Sequence, residues 1–358
     1  MASGRLQQLH DLGQSIWLDY VRRGMIASGE LKRLMAEAAV TGVTSNPSIF
    51  EKAIDESTDY DAEIGAAGPG ASVAEIYDQL TLADISAAAD VLRPAYDAAG
   101  GRDGFVSIEV SPELADDTEG TIAEATRIWR HLQRSNVLIK VPATAAGCPA
   151  VRRLIAAGIS VNITLMFSLK HYDDVAEAYL SGLEERAAQG QPLKGVASVA
   201  SFFVSRVDAK VDPKVPAELQ GKVAVANARA AYARFRERFA GPRWDALQRR
   251  GAAVQRPLWA STSTKNPAYS DVLYVDELVG PDTVNTMPPQ TLEAYRDHGK
   301  PAVRIQEPYQ PVLNALKVDL TAVGDELQRE GVQSFADAYH KVLASIEKKR
   351  AALVGGKS

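Results

Sequence analysis

Lys140 sits inside the run NVLIKVP (136–142), where Val137, Ile139 and Val141 share one face of an extended chain and Leu138 and Lys140 share the other. A lysine in so apolar a run is costly to bury unless it has a partner or a task. One task is nucleophilic. Desolvation favours the neutral amine, which attacks a ketone to give an imine, and the protonated imine then draws electrons as a carbon–carbon bond breaks. That chemistry also needs proton carriers. Glu109 stands in FVSIEVSP (105–112), on the face of Ser107 and Ser111 and opposite Val106, Ile108 and Val110. Asp19 follows Trp17 in SIWLDYV (15–21), and Thr164 and Asn162 share a face in SVNITLMF (160–167), opposite Ile163, Leu165 and Phe167. By the same alternation Met166 joins Asn162 and Thr164. Glu109, Asp19 and Thr164 fit the proton-carrying roles around an ordered water. Thr44, Asn46, Ser201, Ser261 and Lys265 complete the polar set at segment ends, where any one of them alone would also serve as a turn or cap.

These residues need a frame that aims them at one point. Eight short apolar segments recur along the chain: the four above, with GVTSNP (42–47), GVASVASFFVS (195–205), PLWASTST (257–264) and DTVNTMP (282–288). Amphipathic stretches separate them. TEGTIAEATRIWRHLQRS repeats Ile122, Ala125, Trp129 and Leu132 at helical spacing behind Asp117 and Thr118. Strands alternating with helices predict a parallel sheet, and eight units predict a closed (β/α)8 barrel, an α/β fold with extra helices. Its polar strand ends would form the mouth. The expectation is a single domain over residues 1–358, with a core of about 15–300. Insertions at 48–100 and 206–256 exceed the minimal barrel, and two C-terminal helices within 301–358 are expected on its exterior.

Composition narrows the classes. The chain of 358 residues carries a formal charge of −5, which disfavours nucleic acid as a partner. The single Cys148 excludes an internal disulfide and a Cys-rich zinc site and suggests a reducing compartment. The five histidines show no ligand spacing, so neither a metal nor another cofactor is expected. No run reaches membrane-spanning length and the polar N-terminus lacks a signal peptide, so the expected location is the cytoplasm.

TSNPSIF (44–50), VSIEVSP (106–112), NVLIKVPAT (136–144), SVNITLMFS (160–168), SFFVSRVD (201–208) and WASTSTKNP (259–267) together resemble the signature segments of transaldolases, in the family's order. The resemblance implies transfer of a dihydroxyacetone unit between sugar phosphates in the pentose phosphate pathway. Sedoheptulose 7-phosphate or fructose 6-phosphate would be the donor, and glyceraldehyde 3-phosphate or erythrose 4-phosphate the acceptor. It implies Lys140 as the imine-forming lysine, Glu109 as the carboxylate acting through a water, Asp19 as acid/base at a substrate hydroxyl and Thr164 as holder of the water. Asn46 and Asn162 would bind donor hydroxyls, Thr44 and Ser201 would line the site, and Arg206 and Ser261 would hold phosphate. Where many relatives have a short A-S-x-R-N run, this chain has Ala260-Ser261-Thr262-Ser263-Thr264-Lys265-Asn266, so either Lys265 or Ser263 takes the second phosphate position. Phe203, inward beside Ser201, is a candidate shield against water. A homodimer is compatible with this reading. The competing readings are an aldolase releasing free dihydroxyacetone on the same scaffold, a metal-dependent barrel enzyme, and a binding module on a retired scaffold. The last would predict loss of Lys140 or Glu109, and both are present.

Overall fold

The computed structural model describes residues 4–68 and 70–355. Eight parallel strands close in sequence order into one barrel. They are β1 (Gln14–Leu18), β2 (Val40–Thr44), β3 (Val106–Glu109), β4 (Val137–Pro142), β5 (Val161–Met166), β6 (Ser198–Phe203), β7 (Arg256–Ala260) and β8 (Thr283–Met287). Each falls largely within one of the eight apolar segments. The outward apolar faces are sealed by the surrounding helices: Ile139, Val141, Val161 and Ile163 are fully buried. The helix Thr118–Leu132 begins where the sequence places it, with the Asp117 carboxylate accepting from the Gly120 amide at 3.0 Å. Such a cap is worth about 1 kcal/mol. Within the 48–100 insertion, Val73–Ala98 forms a long helix opened by a Ser72/Glu75 capping box.

Register fixes which side chains meet. Glu109 pairs with Lys140, and Lys140 with Asn162, across β3, β4 and β5. All three therefore point into the barrel at one level. At the other end, Trp17 passes so close to β2 that a Cβ on Gly42 would lie 2.5 Å from its ring, so only glycine fits there.

Two sequence expectations change. Leu165 adopts φ 62°, and the pairing slips there, from Ile163–Ala200 to Met166–Phe202. This bulge inserts one residue and reverses the alternation beyond it. Met166 therefore leaves the face of Asn162 and Thr164, and Phe167 takes the inward place, its ring 5.1 Å from Phe203. The second change concerns the chain's end. The tail forms the helices Gln310–Ala315 and Leu320–Gly355. The longer one crosses the C-terminal end of the barrel instead of lying on its outer wall. The Gln328 side-chain amide donates to the Ala143 carbonyl at 2.8 Å and to the Leu165 carbonyl at 3.0 Å, just beyond Lys140 on one strand and Thr164 on the next. A Cβ on Gly331 would come 2.8 Å from the Leu165 side chain, so glycine permits this close crossing. Further along, Val342 and Ile346 join a second apolar cluster with Ile54, Tyr60 and Leu80. Among the described residues, no helix is long and apolar enough to cross a membrane.

Candidate active site

Lys140 and Glu109 are only 6% and 7% exposed through their side chains. The Lys140 ammonium donates to the Ser45 carbonyl at 2.9 Å and lies 3.4 Å from the Glu109 carboxylate, a long contact for an ion pair. Burial raises the Glu109 pKa, the neighbouring Lys140 charge lowers it, and the Asp19 charge adds to the rise. Asp19, just past β1, is likewise raised by burial, which outweighs its hydrogen bond from Thr44 and the positive charges of Lys140, Arg206 and Lys265. The Thr44 hydroxyl donates to Asp19 at 2.6 Å, and Thr286 stands 2.7 Å from Thr44 on the other side. Two carboxyl groups near one amine, both biased toward the protonated form, suit exchange of protons more than permanent pairing.

A second chain of bonds runs along the floor. Ser201 donates to the Asn162 carbonyl oxygen at 2.7 Å, and the Asn162 amide donates to Ser107 at 3.0 Å. Asn162 is thus locked from both sides beside Lys140. The Thr164 hydroxyl, on the next inward position of β5, is buried and has no hydrogen-bond partner among the described residues. An unmet buried hydroxyl costs about 1–3 kcal/mol, so this one points to a water or ligand that completes it. Asn46 caps the helix Pro47–Asp55, its side-chain oxygen accepting from the Ile49 amide at 3.0 Å. It also lines a cavity of about 370 Å³ that reaches Glu109.

At the rim, Arg206 lies on the helix Ser205–Val211, and Ser261 follows β7. Ser261 adopts φ 56°, a conformation unusual outside glycine, and its hydroxyl lies 2.9 Å from that of Ser205. Arg206 stacks its guanidinium over the Phe203 ring at 5.4 Å. Among the described residues it makes no hydrogen bond or ion pair. Burial lowers its pKa, against the charges of Glu330 and Asp19. Lys265 is pushed down too, by desolvation first and then by Arg206. Two cations close enough to repel, neither in a salt bridge with a carboxylate among the described residues, form a place for an anion. The Lys265 ammonium donates to Ser263 at 3.0 Å, so the two alternatives for the second phosphate contact touch each other.

The chain matches the family model described as transaldolase/fructose-6-phosphate aldolase over residues 16–346. It belongs to this family. Among curated relatives, it is 47% identical to "Transaldolase 2" of Nostoc sp., covering 98% of both chains. It is 48% identical to a transaldolase of Saccharopolyspora erythraea, over 97% of this chain and 98% of the other. With "Transaldolase 1" of Streptomyces avermitilis the identity is 55%, over 82% of this chain and 80% of the relative. The family match itself runs into the C-terminal helix Leu320–Gly355.

For this transaldolase-family chain, every residue singled out in the sequence lies at the C-terminal end of the barrel or on its rim. Lys140 with Glu109, Asn162 with Ser201, and Thr44 with Asp19 form three contact pairs, and register sets Lys140 beside both Glu109 and Asn162; Thr164 follows Asn162 on β5; Arg206, Ser261 and Lys265 lie on the rim. Sequence reasoning missed Ser45, Thr286, Gln328 and Phe335. Ser45 acts through its backbone, which leaves no side-chain signal. Thr286 was legible as a polar residue near the end of TVNTM, on the face opposite Met287, whereas Gln328 and Phe335 come from a helix that the strand pattern ignores.

Proposed function

We propose that this protein is a transaldolase that carries a dihydroxyacetone unit as an imine on Lys140. The observation that carries the reading is the buried Lys140 amine, 3.4 Å from Glu109, in a barrel mouth whose rim holds an unpaired Arg206. In this reading the neutral amine adds to the ketose C2 carbonyl, and the carbinolamine loses water as Glu109 moves protons through a water held by Thr164. Asp19 takes the proton of the C4 hydroxyl, the C3–C4 bond breaks, and an aldose phosphate departs. The electrons of that bond rest on the enamine at Lys140 until an acceptor aldehyde arrives and the steps reverse. Asn162 and Asn46 hold the donor hydroxyls. Arg206, with Ser261 and Lys265, holds the phosphate dianion, which charge-assisted bonds favour over free sugars. Sedoheptulose 7-phosphate or fructose 6-phosphate as donor, and glyceraldehyde 3-phosphate or erythrose 4-phosphate as acceptor, match this arrangement. The catalytic steps ask nothing of a metal.

The family description also covers aldolases, so free dihydroxyacetone is the product to measure against. A coupled assay with fructose 6-phosphate and erythrose 4-phosphate, run with a chelator, tests the proposal. Full turnover with transfer of the three-carbon unit is expected. Loss of turnover to the chelator, or free dihydroxyacetone as the main product, would contradict it.

A further inference from the structure

We propose that Phe335, on the C-terminal helix, determines whether the three-carbon unit on Lys140 passes to an acceptor or is lost to water. The inference rests on the imine reading above. Its starting point is a reassignment of aromatic rings. Phe203, the shield suggested by sequence, is engaged elsewhere, between Phe167 at 5.1 Å and the Arg206 guanidinium at 5.4 Å. The ring facing the Lys140 nitrogen is that of Phe335, whose centroid lies 5.7 Å away. Phe335 is 5% exposed. With Leu165 and Val332 it closes the space beside Glu109, leaving a cavity of about 10 Å³. That is room for about one water molecule.

Loss to water has a defined stoichiometry. The enamine carbon takes up one proton, one water adds to the imine carbon, and the carbon–nitrogen bond breaks. The Lys140 amine is regenerated and free dihydroxyacetone leaves with the water's oxygen as its carbonyl. A ring at Phe335 opposes this by occupying volume beside the nitrogen that water would otherwise fill on its way to the imine carbon. The helix bearing it is held in place by the Gln328 clamp on the Ala143 and Leu165 carbonyls. Phe335 acts through Lys140 and is a positioning residue, not a proton carrier.

The test compares Phe335→Leu and Phe335→Met, which keep a buried apolar side chain without a ring, with Val342→Ala. Val342 is fully buried on the same helix but in the second apolar cluster, away from Lys140. Fructose 6-phosphate is supplied with and without erythrose 4-phosphate, and free dihydroxyacetone is measured against transfer product. Both Phe335 variants should raise the release-to-transfer ratio roughly three- to thirtyfold, the range that loss of the ring's shielding allows. The Michaelis constant for the donor should change little. Val342→Ala should lower the thermal midpoint and leave the ratio unchanged. An unchanged ratio in both Phe335 variants, or an equal rise in Val342→Ala, overturns the proposal. If the wild-type protein gives no borohydride-trapped adduct, the imine reading itself fails; if it does and the ratio is unmoved, only the role of Phe335 fails.

Discussion

Both ends of the barrel bury charge, but they treat it differently. At the N-terminal end Asp103 is saturated. It accepts from Ser15, from the Trp17 indole at 2.8 Å, from Thr41 at 2.8 Å and from the Gly104 amide at 3.0 Å, with Arg256 3.6 Å away. At the C-terminal end, among the described residues, Glu109 has one long contact to Lys140, the Thr164 hydroxyl has no hydrogen-bond partner, and Arg206 has no counter-ion in contact. A closed network spends its hydrogen-bonding capacity on the fold. An open one keeps capacity for something that arrives later. The two ends thus differ in how fully the central carboxylate is bonded, and substitutions there should separate stability from turnover.

The sharpest contrast comes from Glu109→Gln. It keeps the shape of the side chain and removes proton transfer, so kcat should fall by about two to four orders of magnitude while donor affinity changes much less. Steady-state kinetics with fructose 6-phosphate measures it. Near wild-type turnover would make Glu109 as structural as Asp103 and move the proton role to Asp19. The opposite end should show the opposite pattern. Asp103→Ala leaves Ser15, Trp17 and Thr41 without their common acceptor and Arg256 without its counter-ion, and should cost about 3–5 kcal/mol in chemical denaturation, with kcat per folded molecule preserved. Equal damage to stability and to turnover would dissolve the distinction between the two ends.

A smaller effect sharpens the comparison within the mouth. Arg206→Ala removes the charge proposed to hold the phosphate, so the Michaelis constant for phosphorylated donors should rise about ten- to hundredfold. The slow reaction of free dihydroxyacetone should be nearly unaffected. If both substrates suffer equally, Arg206 supports the fold and not the phosphate.

The contrast also explains what was legible in the sequence. Strand alternation with a polar inward face placed Glu109, Lys140, Asn162 and Ser201 correctly, because a two-residue period survives burial on both sides. The same rule failed at Met166 and Phe167, since nothing in VNITLMF marks the left-handed turn at Leu165. The helix over the mouth was read as an outer layer because its apolar residues have the same periodicity whichever surface they cover. What distinguishes that surface is the Gln328 clamp and the close approach at Gly331, and both are pairings across more than 100 residues. Asn46 is a helix cap and a cavity wall at once, so capping and a place beside Glu109 are compatible for one residue.

If the open end of the barrel is built around a nucleophilic Lys140, the intermediate can be trapped there. Borohydride added during turnover with fructose 6-phosphate reduces an imine to a stable secondary amine, which peptide mass spectrometry then locates. One adduct of a three-carbon or six-carbon unit is expected on Lys140, and none in Lys140→Arg, whose guanidinium stays protonated and forms no imine. An adduct on another lysine, or no adduct in an actively turning-over enzyme, would contradict this role for Lys140.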